Sequence, residues 1–254
     1  MRLISYNIYN GGEGRADPIA EVIEAQHADV VALVEANVPE VTQRIARRLK
    51  MDFVVGEGDG HHVALLSRWP IVESVNHALV SGIKRSCLEA TVRDAAGVEW
   101  TFGVVHLPAG AKNEDEQTRL PEIEKILKVF APHRLAGRGH VLCGDFNSNS
   151  PQQLIDPSRC REKTRAAWKD NGGVLPREVV GRILGEGYVD AHVAVNGQEN
   201  PLVGSFDTQF PGQRVDYCFT FGIAPKYIER AWVEQDRLAK FASDHFPIGV
   251  EIRV

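Results

Sequence analysis

The stretch VLCGDFNSNS, residues 141–150, joins an apolar run to a polar one. Its apolar residues close on a glycine, which is typical of a buried β-strand. Asp145 and Asn147 follow where this strand would leave its sheet, the usual location of a ligand in an α/β protein. The same residue types are common in turns, so an ordinary turn at a strand end is the alternative explanation for this segment taken alone.

Before this stretch, strand-like runs alternate with helical patterns, which indicates an α/β protein. We predict strands at residues 2–8 and 29–35, with a helix between them for which Asp17 is the N-cap. A second amphipathic helix is predicted at about residues 38–50.

Five strand-like runs then follow one another between residues 52 and 107, with short turns, as antiparallel strands do. A long helix is predicted at 114–130. After the opening stretch come a polar segment at 159–170, a short helix and three strand-like runs: RVDYCFTF, KYIERAWVEQ and PIGVEIRV. Since no low-complexity linker and no short-period repeat interrupts the sequence, we expect one compact domain over residues 1–254, built on two sheets.

Polar side chains recur at the ends of the predicted strands. We call them the strand-end residues; they are Asn7, Glu35, His106, Asp145, Asn147, Asp216, Asp244 and His245. Taken singly, each has a structural explanation, such as helix capping for Glu35 or a hydrogen-bonded core imidazole for His106.

Taken together, the strand-end residues are hard to explain as structural. A buried carboxylate is costly unless it is paired or bound to a metal, and four acids at one sheet edge would repel one another. A hard divalent cation would relieve this repulsion, and oxygen ligands without a nearby cysteine favour Mg²⁺ or Mn²⁺ over a structural zinc. With two histidines and two asparagines, the set predicts metal-assisted hydrolysis of a phosphate ester.

The composition narrows the classes of function. The 254 residues are 43% hydrophobic and 25% charged, which is ordinary for a globular protein. The net charge of −5 is weak evidence against a dedicated binder of long duplex nucleic acid. No apolar run reaches the roughly 18 residues of a membrane span, and MRLISYNIYN lacks the features of a secretory signal. Three cysteines lie in strand-like runs and are expected to be buried reduced thiols, so a cytoplasmic location is the simplest expectation: Cys87, Cys143 and Cys218.

The order of seven segments resembles the endonuclease/exonuclease/phosphatase superfamily: SYNI, VALVE, VALLSRWPI, VVHLPAG, GDFNSNSP, RVDYCF and SDHFP. This group includes deoxyribonuclease I, exonuclease III-like repair enzymes, bacterial sphingomyelinases and inositol polyphosphate 5-phosphatases. The resemblance runs from about residue 5 to 248. It implies a four-layer α/β sandwich, with two mixed β-sheets packed face to face, helices on both outer faces and the active site at one rim.

The resemblance also implies roles for the strand-end residues. His245 would be the general base or the charged partner of the phosphate, with Asp216 orienting its ring. Glu35 would bind the metal, and Asn7 would bridge the metal ligands and Asp145.

Asp145 would align the attacking water or a second metal, while Asn147 would donate to a phosphate oxygen. His106 would stabilise the charge that develops on phosphorus or protonate the leaving oxygen. Asp244 would be a metal ligand or the acid beside the departing group. Arg85 matches a position that often contacts phosphate in such enzymes, although a solvated charge at a strand end explains it equally well.

The resemblance leaves the substrate open. We favour a Mg²⁺-dependent phosphodiesterase or phosphatase on a small or lipid-linked ester, because exonuclease III-like enzymes typically carry tyrosine where this sequence has His106. The alternative is a deoxyribonuclease I-like nuclease acting on DNA or RNA, and a non-catalytic binding module is a third, less favoured, interpretation. The basic residues of the polar segment either contact an anionic substrate or form a solvated helix face: Arg159, Arg161, Lys163, Arg165 and Lys169. We expect a monomer.

Overall fold

The computed structural model describes residues 1–197 and 203–253. Its strands are β1 (Arg2–Asn7), β2 (Val30–Val34), β3 (Asp52–Gly56), β4 (Val63–Ser67), β5 (Ile71–Asn76), β6 (Ser86–Arg93), β7 (Glu99–His106), β8 (His140–Asp145), β9 (Val189–Asp190), β10 (Asp216–Phe221), β11 (Ile228–Val233) and β12 (Ile248–Ile252). Its α-helices are α1 (Ala16–Ala25), α2 (Pro39–Leu49), α3 (His77–Val80), α4 (Asn113–Leu135), α5 (Glu162–Asp170), α6 (Glu178–Gly185), α7 (Ala191–Asn196) and α8 (Arg237–Ala242). Short 3-10 helices occupy Asn10–Gly12, Pro157–Arg159 and Pro225–Tyr227.

The described strands form two six-stranded mixed sheets. The first has the order β11-β12-β1-β2-β4-β3 and the second β5-β6-β7-β8-β10-β9. In each sheet one central pair is parallel, β1 with β2 and β7 with β8, and the neighbouring pairs are antiparallel. The expected α/β sandwich of two mixed sheets is confirmed.

Three apolar layers hold these sheets and helices together. The first lies between the two sheets, the second packs α1, α2 and α8 against the first sheet, and the third packs α4 and α6 against the second. Strand β2 shows how one sequence serves two layers. Its Ala32 side chain enters the layer between the sheets, whereas its Leu33 side chain enters the helix-covered layer. A strand that is buried on both faces therefore appears in the sequence as a continuous apolar run.

Several predicted element boundaries were wrong. Helix α1 begins at Ala16, and Asp17 lies in its first turn, where its carboxylate accepts a hydrogen bond from Arg44 Nε of α2 at 3.0 Å rather than capping the helix. Helix α4 extends to Leu135 through Pro132, five residues beyond the predicted end. The sequence interpretation also missed β9, α7 and α8, and it extended a strand-like run to residue 80, although β5 ends at Asn76 and α3 follows it.

The topology brings the polar ends of several strands to one rim. Parallel strands β7 and β8 end side by side at His106 and Asp145, and antiparallel β10 begins opposite Asp145 at Asp216. In the other sheet, β1 ends at Asn7 beside the end of β2, which Glu35 follows directly. The sequence from Asp244 onward leads into β12, the antiparallel neighbour of β1.

All the described cysteines are buried free thiols: Cys87, Cys143, Cys160 and Cys218. This agrees with the expectation for Cys87, Cys143 and Cys218. Among the residues that the structure covers, no helix combines the length and the apolar character that crossing a bilayer requires.

Candidate active site

Asp145 lies at the centre of the rim and is buried. Its Oδ2 atom accepts a hydrogen bond from Asn7 Nδ2 at 3.1 Å and lies 3.8 Å from both His106 Nε2 and His245 Nε2. Its Oδ1 atom accepts from the backbone N–H of Asn147 at 2.9 Å. A single carboxylate thus touches side chains from both sheets.

Asn7 links two acids. Its Nδ2 atom also reaches Glu35 Oε1 at 3.4 Å, and the second carboxylate oxygen of Glu35 accepts from the backbone N–H of Asn10 at 2.6 Å. Glu35 has a φ of 60°, an uncommon left-handed conformation for a residue other than glycine. Such strain is often found at functional sites.

His245 is held by a carboxylate on each side. Its Nδ1 atom donates to Asp216 Oδ2 at 2.9 Å, so Nε2 faces Asp145. Burial alone would lower the pKa of His245, but the charges of Asp216 and Asp145 outweigh burial and raise it to about 10. The two carboxylates therefore favour the imidazolium form of the ring.

Asp216 is positioned in turn by Ser205. The Ser205 Oγ atom accepts hydrogen bonds from the backbone N–H groups of Val215 at 3.1 Å and Asp216 at 3.2 Å. This contact fixes the start of β10 next to the loop before it. The sequence interpretation predicted only that Ser205 lies in a loop beside the pocket, since no periodic pattern indicates its contact with the start of β10.

His106 differs from His245 in its electrostatic environment. Burial, the charge of Arg85 and that of His245 lower the pKa of His106 to about 3, so its ring is neutral. The ring packs edge-to-face against His61, with 5.1 Å between the ring centres. Arg85 itself is half-buried in the loop before β6 and does not line the cavity described below.

Burial disfavours the ionised form of two acids, Asp145 and Asp244. It raises the pKa of Asp145 to about 7, with a further contribution from Asp216, and it also raises the pKa of Asp244. The Oδ1 atoms of Asp216 and Asp244 are buried and have no hydrogen-bond partner among the described residues. Carboxylates in this state are suited to bind a cation, since ligation would supply the charge and the contacts that they lack.

Two groups of side chains could hold a metal ion within the described part of the chain. Glu35, His61 and His106 form one, and Asp145, Asp216 and His245 the other; in each group the donor atoms lie within 4.8 Å of one another. The sequence interpretation predicted only that His61 lies in a loop beside the pocket, because a histidine in a predicted loop carries no periodic signal. Its contact with His106 places it in the site.

Asn147 has a φ of 50° and donates from Nδ2 to the carbonyl of Leu107 at 2.9 Å. A primary amide nitrogen carries two hydrogens, so one remains for a ligand. The bond to Leu107 joins the loop after β8 to the loop after β7. Asn147 thus lies at the rim with the donor that its expected role requires.

A cavity of about 480 Å³ opens over these residues, within the size range of small-molecule sites. Six of the nine predicted site residues line it: Glu35, His106, Asp145, Asn147, Asp244 and His245. Asn7 and Asp216 lie behind this lining, in contact with Asp145 and His245, and Arg85 lies outside it near His106.

The cavity also has lining residues that the strand ends do not supply. Arg161 and Lys163 come from the beginning of α5. Phe206 packs against His245 with 4.5 Å between the ring centres. The loops before α5 and before β10 therefore complete the wall of the cavity.

A profile of the Endonuclease/Exonuclease/phosphatase family matches residues 4–245. The chain is similar to a solved AP endonuclease from Archaeoglobus fulgidus, with 18% identity, a TM-score of 0.75 and full coverage of both chains. It is also similar to a variant of the 3′ phosphatase NExo from Neisseria bound to a product DNA hairpin, with 19% identity, a TM-score of 0.74 and full coverage of both chains. A humanized D. rerio TDP2 shares 20% identity and a TM-score of 0.69, over 100% of this chain and 99% of the other. No curated protein sequence matches the chain.

Proposed function

The chain belongs to the Endonuclease/Exonuclease/phosphatase family, and we propose that it hydrolyses a phosphate ester by in-line attack of an activated water, with Mg²⁺ as cofactor and Mn²⁺ as a possible substitute. The observation that carries the proposal is the buried Asp145 carboxylate, which contacts Asn7 and lies 3.8 Å from two imidazoles. Buried acids, histidines and amides around one cavity are the groups that phosphoryl transfer requires for positioning and charge stabilisation.

The metal ligands in this proposal are Glu35, Asn7, Asp145 and Asp244. They offer oxygen donors, which Mg²⁺ prefers, and the raised pKa values of Asp145 and Asp244 belong to two acids that a cation would stabilise in the ionised form. A bound divalent cation would polarise the phosphate and neutralise the charge that develops on its oxygens.

His245 acts on the phosphate or on the water that attacks it. Its raised pKa favours the role of charged partner, since an imidazolium attracts a phosphate oxygen but cannot accept a proton. As a general base it would first have to lose its proton, and neutralisation of Asp145 and Asp216 by a cation would make that easier. In either role, Asp216 holds the ring through Nδ1.

His106 is neutral, with a pKa of about 3. A neutral imidazole donates a hydrogen bond but is a poor proton donor at neutral pH, so stabilisation of the developing charge is favoured over protonation of the leaving oxygen. Asn147 supplies an amide donor to the same phosphate, and Asp145 aligns the water. Arg85, whose charge acts on His106, would contribute from outside the lining of the cavity.

The preferred substrate is a small or lipid-linked phosphate ester, because the cavity has the size of a small-molecule site. Hydrolysis of DNA or RNA is the second candidate. The full-length structural similarity to a 3′ phosphatase bound to a DNA hairpin supports this candidate, although at 19% identity the similarity concerns the fold.

A substrate screen tests the proposal. Purified protein is incubated with bis-p-nitrophenyl phosphate, sphingomyelin, single-stranded oligonucleotides and plasmid DNA, each with Mg²⁺, Mn²⁺ or EDTA. We expect metal-dependent release of nitrophenol or phosphocholine that EDTA abolishes. Nicking of plasmid DNA at low enzyme concentration would select the nuclease instead, and a protein inactive on all four substrates with both metals would contradict the proposal.

We propose a cytoplasmic location, since the buried free thiols are consistent with a reducing compartment. Separately, we expect the enzyme to act as a monomer.

A further inference from the structure

The cavity has a cationic side that the proposed chemistry does not use. Arg161 stacks on Phe206, with its guanidinium carbon 4.4 Å from the ring centre, and Phe206 in turn packs on His245. Arg161 and Lys163 both line the cavity. The guanidinium therefore lies one aromatic ring away from the imidazole that is expected to meet the scissile phosphate.

This guanidinium has unused binding capacity. Within the part of the chain that the structure describes, Arg161 Nε is buried without a hydrogen-bond partner, and neither Arg161 nor Lys163 forms an ion pair. By contrast, the neighbouring Arg165 is engaged, because its Nη1 atom donates to the carbonyl of Cys160 at 3.0 Å. A buried, unused N–H is costly, so an acceptor from a ligand would be stabilising at this position.

The shape of the guanidinium indicates which ligand it would take. A guanidinium is a planar fork of donors, and one held over an aromatic ring binds two oxygens of a phosphate more strongly than it binds a single neutral acceptor. Lys163 adds a second positive charge at the same side of the cavity. Since the scissile phosphate lies by the strand-end residues, these two cations face a different part of the substrate.

We propose that Arg161, with Lys163, forms a second phosphate subsite, so that the substrate carries another phosphate group next to the one that is hydrolysed. The inference rests on the proposed function for the position of the first phosphate. The second phosphate is either the terminal group of a small bisphosphate or the adjoining phosphate of a nucleic-acid strand. Both present the same oxyanion to the guanidinium.

The alternative is that Arg161 only balances the acidic side of the cavity. Its charge does act on Asp244, where it lowers the pKa against the larger effect of burial. In that case its removal would weaken hydrolysis of every substrate by the same factor. The two explanations therefore differ in whether the loss depends on the second phosphate.

The experiment compares Arg161→Met with Lys169→Met. In Arg161→Met, the methionine keeps much of the apolar stem that packs on Phe206. The control, Lys169→Met, removes the same charge from the exposed last turn of α5, away from the cavity. The substrates are thymidine 5′-(p-nitrophenyl phosphate) with and without a 3′-phosphate. The wild type and Lys169→Met should prefer the 3′-phosphorylated ester, and Arg161→Met should reduce that preference in kcat/KM by about tenfold, as expected for a charge-assisted contact.

A binding measurement keeps the inference separate from the proposed function. Titration calorimetry with thymidine 3′,5′-bisphosphate, thymidine 5′-monophosphate and 5′-phosphorylated dinucleotide dTpdT reports the subsite even if no ester is hydrolysed. Tighter binding of the bisphosphate indicates a terminal phosphate, and tighter binding of the dinucleotide indicates a strand phosphate. Inactivity towards both nitrophenyl esters would count against the proposed function alone. Equal affinity of the wild type for all three probes, or an Arg161→Met variant with unchanged preference, would overturn the second subsite.

Discussion

His245 and Glu35 have different roles in the proposed chemistry, although both line the same cavity. His245 has its Nδ1 atom on Asp216 and serves the phosphate or the water. Glu35 has a half-buried carboxylate that would bind the cation in this proposal. Loss of the first should therefore affect turnover, and loss of the second should affect metal binding.

We expect His245→Ala to lower turnover of bis-p-nitrophenyl phosphate by at least about tenfold while Mg²⁺ binding persists, because a group that stabilises the developing charge and a positioned acid–base group each contribute about 10²-fold or more. Glu35→Ala should weaken Mg²⁺ affinity, measured by titration calorimetry. The control is Glu40→Ala, which removes an exposed acid in the first turn of α2. A His245→Ala enzyme with more than about a tenth of wild-type turnover would contradict the assigned role.

The strand-end residues could be identified from the sequence because each interrupts or ends an apolar run, as Asp145 does after VLCG. Their convergence follows from strand order, which the sequence alone does not specify. Arg161 was predicted only as one of several basic residues of the polar segment, and Ser205 only as a loop residue beside the pocket, for a different reason. The contact of Arg161 with Phe206 joins segments that are distant in sequence, and the contact of Ser205 with the N–H of Asp216 closes the irregular loop before β10. Neither periodicity nor composition reports such contacts.

Helix α4 positions the cavity loops through a buried ion pair. Arg119 Nε donates to Glu116 Oε2 at 2.9 Å, and Arg119 Nη1 donates to the carbonyls of Pro108 and Gly110, each at 2.9 Å. Glu116 Oε1 accepts from Ser148 Oγ at 2.8 Å. The pair thus ties the loop after β7 and the loop after β8 to the same turn of α4.

Arg119→Met should lower the free energy of unfolding by about 3–5 kcal/mol, because it leaves Glu116 as an unpaired buried charge. Urea unfolding measures the loss. The double variant Glu116→Gln/Arg119→Met should lose less than the sum of the two single variants, since the orphaned charge is gone. Arg182→Met is the control: its pair with Glu124 at 3.8 Å is exposed and contributes less than about 1 kcal/mol. An Arg119→Met variant as stable as this control would contradict the proposal that the ion pair holds the two loops on α4.

Element boundaries were harder to predict than element types. Helix α4 was predicted to end at residue 130, but it contains both Pro121 and Pro132 and continues to Leu135, with its apolar face buried against the second sheet. Packing of this face outweighs the local preference of proline. Strand β9 has only two residues, which pair with Phe219 and Thr220 near the end of β10. It is too short to show an alternating pattern in the sequence.

Strand β8 begins with a histidine that is buried in the neutral form. His140 Nδ1 donates to the carbonyl of Arg138 at 2.9 Å, and its Nε2 accepts from the Tyr188 hydroxyl at 2.7 Å. The ring also stacks between Phe130 and Phe221. Burial is the main cause that lowers the pKa of His140 to about 4.

The lowered pKa predicts a loss of stability in acid. The unfolded chain binds a proton at His140 near pH 6.5, whereas the folded chain resists protonation until about pH 4, so stability falls as the pH falls through this window. Between pH 7 and pH 5, His140→Gln should lose about 1–2 kcal/mol less unfolding free energy than the wild type, by the linkage of about 1.4 kcal/mol per pKa unit. Urea unfolding at both pH values measures the difference, and parallel losses in the two proteins would show that His140 does not titrate in this window.

At the scale of the molecule, the candidate site depends on how the two sheets stay together. Asn7 and Glu35 come from the first sheet, whereas Asp145 and Asp216 come from the second. The layer between the sheets contains side chains of both, including Leu65 of β4 and Leu88 of β6. If this shared layer makes the chain one cooperative unit, a substitution that destabilises one sheet must lower the unfolding free energy of the other sheet equally.

Leu65→Ala provides the measurement, because Leu65 is fully buried in the shared layer and its truncation should cost about 2–5 kcal/mol. In a single domain over residues 1–254, native-state hydrogen exchange should show this loss for the amides of β7 and β8 as well as for those of β1 and β2. Leu135→Ala, at the exposed end of α4, should change neither set. Amides of β7 and β8 that keep their wild-type protection in Leu65→Ala would mean that the sheets unfold separately, and that the site lies between two units rather than at the rim of one.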